Sequence, residues 1–196
     1  MLTAGFAEPV LAAQATFRVI LDAMARPGRV MPMTEALSPP SPMNRGAAAI
    51  AYTLCDHDTI VWLDPVLRAS STVCDWLRFH CGCEITDTAH EAAFGFAGDM
   101  TLLPEFEQFN IGTADYPDRS TTLVLQVQSL AAGTELSLSG PGIRDCHTLR
   151  VAPTPHDLIP RLNANAALFP RGIDLLFVTD DAVAALPRSV RVGGER

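Results

Sequence analysis

Residues 115–143 read DYPDRSTTLVLQVQSLAAGTELSLSGPGI, and the pairing of the strands inside this stretch decides the fold. Thr121 to Leu130 alternates as a strand does. Leu123, Leu125 and Val127 share one face, and Thr122, Val124, Gln126 and Gln128 share the other. The second face is half polar, as a partly solvated or partner-facing surface is. Glu135 to Ser139 alternates too, with Leu136 and Leu138 between polar neighbours. Joined through Ala131–Thr134, the two runs are expected to pair as an antiparallel hairpin with a slightly long loop. Such a hairpin would set PDRS (117–120) beside SGPGI (139–143), two polar loops suited to carry function.

Working outward, a chain of 196 residues is most simply one domain, 1–196, long enough to bury a core. Nearly half of it is apolar (48%), which fits a globular protein and argues against disorder. A net charge of −8 argues against nucleic acid or an anionic membrane as partner. All 14 cationic residues are arginine, and lysine is absent. That excludes a Schiff base to pyridoxal phosphate, a P-loop lysine and a lysine general base. No apolar run is long enough to span a membrane, and the N-terminal stretch lacks the basic start of a signal peptide. Five cysteines at irregular spacing do not form a disulfide framework, so a cytoplasmic location is expected.

From Glu8, helical spacing predicts a helix begun by Pro9 and stopped by Arg26-Pro27-Gly28, with Phe17, Leu21 and Met24 inward and Arg18 and Asp22 outward. A breaker-rich surface loop follows at 37–46, then a small-residue helix over Gly46–Cys55. Thr59–Leu63 reads as a short buried strand, and Ser71–His80 as a helix burying Val73, Trp76 and Leu77. Ala92–Ala97 reads as a strand, and Thr101–Phe109 as a short helix or turn. Beyond Gly142 come a helix near Asp157–Leu168, whose regular part starts at Pro160, a strand over Ile173–Thr179, and an edge strand in LPRSVRV (186–192). The pattern predicts an α/β fold of three layers, a mixed sheet flanked by helices.

Several groups could carry chemistry. Asp56 and Asp58 flank His57 at a helix-to-strand junction, either tuning a general base or forming a capped polar turn. Arg78 and His80 precede Cys81-Gly82-Cys83. Three soft ligands packed in four residues do not match zinc spacings, so no metal is assigned. Asp118 and Arg119 could bind ligand or pair with each other. Gly140 and Gly142 could cradle a phosphate, or serve a tight turn. Asp174 opens an apolar strand and needs a partner, for which Arg188 or Arg119 would serve.

Seven stretches carry a resemblance over nearly the whole chain: FRVILDAMARPGR (17–29), LCDHDTIVWLD (54–64), LRFHCG (77–82), PDRSTTLVLQV (117–127), LSGPGI (138–143), FPRGIDLLFV (169–178) and LPRSVRV (186–192). In order and spacing they resemble the PhnH family of the bacterial carbon–phosphorus lyase system for phosphonate use. Cys81-Gly82-Cys83 departs from the family pattern, where Thr-Gly-Ala or the like stands. The resemblance implies a fold similar to the pyridoxal-phosphate transferases but without that cofactor. It also implies a homodimer that assembles with PhnG, PhnI and PhnJ. With PhnG, PhnI and PhnL, such a subunit supports transfer of the ribose triphosphate of ATP onto an alkylphosphonate, displacing adenine.

Two readings follow. In one, this is a scaffold subunit whose faces bind partner chains and a second copy. In the other, Asp56, Asp58, His80, Asp118 and Asp174 act as acids or bases while Arg78, Arg119, Arg188, Gly140 and Gly142 hold ATP or phosphonate. Convergence of Arg78, Arg119 and Arg188 in one pocket would favour the second, and their dispersal the first. A metal- or redox-binding protein would need Cys55, Cys81 and Cys83 to converge.

Overall fold

A computed structural model describes residues 5–193; the outermost positions of the domain expected over 1–196 lie outside this range. Seven strands form the main sheet. In order across it they are β1 (Met31–Pro32), β9 (Ala182–Leu186), β8 (Asp174–Val178), β5 (Thr122–Gln126), β4 (Phe94–Ala97), β2 (Ile60–Leu63) and β3 (Glu84–Thr86). The five strands from β8 to β3 are parallel, whereas β9 runs against β8 and β1 against β9. The sheet is therefore mixed, as alternating helices and strands predict.

The expected hairpin does not form. β5 lies at the centre of the large sheet, between β4 and β8. The next strand, β6 (Ser129–Ser139), pairs instead with β7 (His147–Ala152) and β10 (Arg191–Gly193) in a separate three-stranded antiparallel sheet. Val127 and Gln128 carry the chain across. The Val127 N–H donates to Val178 in the large sheet, and the Gln128 N–H to Ala152 in the small one. Alternation had the faces right and the partners wrong, because period two says which side chains share a face and nothing about which strand lies alongside. Nor is the second face of β5 a surface. Val124 is fully buried, and Gln126 is engaged by the loop before the second helix: its Oε1 accepts from the Asn44 N–H (2.6 Å) and its amide donates to the Pro42 carbonyl (3.1 Å).

Three layers result. On one side of the large sheet pack α1 (Pro9–Ala25), α2 (Arg45–Leu54) and α4 (Ser71–Cys81), burying Val61, Phe96, Val124 and Leu176 with the alanines of α2. On the other side Leu123, Leu125, Leu175 and Phe177 meet Leu136, Leu138, Leu149 and Val151 of the small sheet and Leu158 and Leu162 of α5 (Leu158–Ala167). The second flank is thus mostly sheet rather than helix. Pro160 sits inside the first turn of α5, where no intrahelical partner is lost.

α4 follows its sequence closely. Ser70 caps it by accepting from the Val73 N–H, and Val73, Trp76 and Leu77 are fully buried, each worth about 2–3 kcal/mol. α1 occupies the expected residues but is rotated about its axis. Its buried positions are Ala12, Thr16, Ile20 and Ala23, while Phe17 (49% exposed) and Leu21 (58%) face outward with Val10 and Leu11. The small residues let α1 approach α2 and β9 closely. The helix is apolar on both sides, so its period fixes the shape without saying which stripe is inward.

Candidate functional site

Parallel strands give the sheet two chemically distinct edges. The carboxyl-end edge is where open α/β sheets place ligands, at a point where the chain reverses its direction of winding. All the nominated side chains on the large sheet lie at the opposite edge. Asp56 and Asp58 precede β2, Arg78 and His80 end α4 just before β3, Asp118 and Arg119 precede β5, Asp174 opens β8, and Arg188 follows the antiparallel β9. Gly140 and Gly142 follow β6, and Gly140 packs against Ser189 of the β9–β10 link.

Asp174 and Arg188 form the strongest feature of this edge. Arg188 Nε donates to Oδ1 (3.1 Å) and Nη2 to Oδ2 (2.5 Å), while the Arg188 N–H also reaches Oδ1 (2.8 Å). The remaining Nη1 donates to the Pro117 carbonyl, so each of the three guanidinium nitrogens has a partner. Both side chains are about one-seventh exposed (14% and 13%), enough burial for the pair to matter. It pins three segments that are distant in sequence.

The other nominated residues engage local partners. Asp56 accepts from the Asp58 N–H (3.0 Å) and the Thr59 hydroxyl (2.9 Å), a capped turn; the Thr59 bond, then the Asp58 bond, holds its carboxyl below the ordinary range. His57 and Asp58 are 3.5 Å apart and almost wholly in solvent. Arg78 pairs with Asp75 one turn back (3.7 Å). Arg119 stacks on Tyr116, 4.2 Å from the ring centre, and Asp118 is exposed. His80 is half-buried among Trp76, Tyr52 and Phe79. Arg78, Arg119 and Arg188 therefore point to three different partners rather than to one another.

The thiols do gather. Cys81 hydrogen-bonds Cys83, which lowers the Cys83 thiol, and burial pushes the neighbouring Cys55 thiol up. Among the described residues, however, no group of three or more His, Cys, Asp or Glu is arranged to hold a metal ion.

The carboxyl-end edge holds a residue that the sequence reading passed over. The chain runs β2, then β3, then returns to β4 on the other side of β2, so the switch point lies between β2 and β4. Asp64 sits there, fully buried. Oδ1 accepts from the Leu67 N–H (2.9 Å), capping α3 (Pro65–Arg68), and Oδ2 accepts from the Gly98 and Asp99 N–H groups (2.9 Å each). Burial pushes its carboxyl up against the pull of these three donors. Asp-Pro directly after an apolar strand is an N-cap signal that could have found it. Beside it lies a hollow of about 310 Å³ lined by Gly98, Asp99, Gln126, Gln128 and Thr154.

The geometry defines a three-layer α/β protein whose polar clusters at the sheet ends engage local partners. The chain belongs to the PhnH family: residues 4–193 match the family profile described as bacterial phosphonate metabolism protein (PhnH). It is 44% identical over 190 residues to the alpha-D-ribose 1-methylphosphonate 5-triphosphate synthase subunit PhnH of Rhizobium meliloti (strain 1021), covering 97% of this chain and 94% of that one. It is also 28% identical over 179 residues (91% and 85%) to HtxG of Stutzerimonas stutzeri, provisionally named a C-P lyase subunit protein.

Proposed function

We propose that this chain works as a non-catalytic subunit of the carbon–phosphorus lyase core complex. There it supports transfer of the ribose triphosphate of ATP onto an alkylphosphonate with displacement of adenine. The similarity to a triphosphate synthase subunit over nearly the whole of both chains carries the reading. The dispersal of Arg78, Arg119 and Arg188 among separate partners supports a scaffold over a contributor of catalytic groups. So does the outer stripe of α1, where Val10, Leu11, Phe17 and Leu21 leave an apolar face uncovered, as a chain that works bound to others does. The proposal includes a single domain over 1–196, a homodimer, PhnG, PhnI, PhnJ and PhnL as partners, and a cytoplasmic location. No helix among the described residues is long and apolar enough to cross a membrane.

The proposed kinship to pyridoxal-phosphate transferases is supported by the large sheet, with its run of parallel strands and an antiparallel strand between β8 and β1. A chain without lysine could keep that architecture and not the cofactor's Schiff base.

The test is reconstitution with PhnG, PhnI, PhnJ and PhnL, followed by adenine release from ATP plus methylphosphonate. Omitting this chain is expected to abolish release, and Arg119→Ala to leave release per assembled complex unchanged. Full release without this chain would sink the proposal.

A further inference from the structure

Three arginines do converge, but not the three the sequence singles out. Arg26 and Arg29, just past the end of α1, and Arg144, in the link between β6 and β7, line one open hollow of about 370 Å³ together with His147. Among the described residues, Asp145 is the carboxylate that lines it. On a chain of net charge −8 this is a local reversal of sign. Arg26 is accounted for, since it pairs with Asp22 (2.8 Å) and sits at the carbonyl end of a helix, where cations are favoured. Arg29 and Arg144 are not accounted for. Among the described residues neither side chain makes an ion pair or a hydrogen bond; Arg18, Arg171 and Arg191 are unpaired too, but only Arg29 and Arg144 share one hollow.

The backbone beneath these arginines is fixed. Gly142, at φ +83°, lies so close to α1 that a Cβ there would come within 2.6 Å of the Ala25 carbonyl oxygen. Gly28, at φ +78°, is packed against Leu138 and His147 in the same way, and the His147 ring nitrogen Nε2 lies 3.2 Å from the Gly28 carbonyl oxygen. Two segments more than a hundred residues apart are thus locked together, which holds the roots of Arg29 and Arg144 around a common space.

We infer that the Arg26–Arg29–Arg144–His147 hollow binds a phosphoryl-type oxyanion, chiefly through the guanidinium forks of Arg29 and Arg144, which have no other partner among the described residues. Guanidinium is suited to this because its planar donors match two oxygens of one phosphoryl group at once. The choice of phosphoryl oxyanions rests on the subunit role proposed above. Two sources share that chemistry, the polyphosphate chain of a nucleotide-derived substrate and a free phosphonate.

Titration calorimetry of the isolated full-length protein with tripolyphosphate, methylphosphonate and sulfate separates them. Tripolyphosphate binding identifies the first source, and methylphosphonate binding alone the second. In either case Arg29→Ala with Arg144→Ala is expected to weaken binding by about tenfold for each guanidinium removed. Arg150→Ala, whose partner is Glu135, leaves binding unchanged. If the double alanine variant fails to fold, Arg29→Lys with Arg144→Lys keeps the charge while removing the forks, and still weakens binding. A second readout needs no variant. Cys146 lines the hollow and is the exposed cysteine of the five, so its alkylation in wild-type protein should slow several-fold when the anion is bound. No binding of either probe, binding indifferent to the arginines, equal binding of sulfate, or an unprotected Cys146 would each overturn the inference. None of these results bears on adenine release by the reconstituted complex, so the two proposals fail separately.

Discussion

Asp64 and Asp174 are both carboxylates at the ends of parallel strands, one at each edge of the same sheet, and they are satisfied in opposite ways. Among the described residues Asp64 makes no ion pair. It takes three backbone N–H groups, one from α3 and two from the loop after β4, and its buried carboxyl is raised by desolvation. Asp174 takes the fork and the N–H of a single arginine, which in turn holds the carbonyl of Pro117. An acceptor fed by backbone fixes the local path of two turns, whereas one fed by an arginine clamps whole segments against each other. Both edges are thereby spent on structure. The side chains that look most chemical at the sheet ends are thus engaged in local contacts, while unpartnered arginines gather on a third surface, where the anion site is proposed.

The comparison can be broken most severely at Asp64. Asp64→Ala leaves the N–H groups of Leu67, Gly98 and Asp99 unpaired and should cost about 3–5 kcal/mol, read from urea unfolding. Its sign with pH is distinctive. The folded carboxyl is raised above its unfolded value, so the folded chain binds the extra proton in the interval between the two. The stabilisation from Asp64 is then fully present below the unfolded value near about 4 and falls as pH rises through the folded one. The gap between wild type and Asp64→Ala should therefore widen on acidification; a gap that narrows would show that the three N–H donors, not desolvation, set this carboxyl.

At the other edge, Arg188→Ala and Asp174→Ala should each cost about 3 kcal/mol, since each leaves a mostly buried charge without its partner. The double variant should cost far less than their sum. Additive losses would mean that the pair is not the clamp described here.

Substitutions on the outer stripe of α1 sharpen the contrast between buried and uncovered faces. Leu21→Glu should change stability by no more than about 0.5 kcal/mol, because Leu21 is 58% exposed, yet reduce co-purification with partner subunits. Normal assembly would show that this stripe is not an interface.

The smallest effect is expected at Asp56, whose carboxyl is lowered rather than raised. Its contribution is present above the unfolded value and is lost as pH falls through the folded one, the opposite of Asp64. Thr59→Val should move its titration, followed by carboxyl NMR, back toward ordinary aspartate. An unmoved titration would shift the cause to the Asp58 N–H.

Much of this was legible in the sequence. The places of α1, α2, α4, α5, β2, β4, β5 and β8 follow from local spacing and stops, because capping and period are properties of neighbouring residues. Asp174 was recognisable as a carboxylate in need of an arginine because it opens an otherwise apolar strand. The missing lysine and the family resemblance were complete in the sequence as well. What the tertiary structure alone decided was adjacency. It sent β5 and β6 to different sheets, since alternation specifies a face and not a neighbour. It turned Phe17 and Leu21 outward, since α1 carries apolar residues on two sides and its small residues fit more closely against α2 and β9. It also brought Arg29 and Arg144 together across the length of the chain while leaving Arg78, Arg119 and Arg188 apart. Convergence of charges depends on the path of the backbone between them, and no local pattern encodes that path.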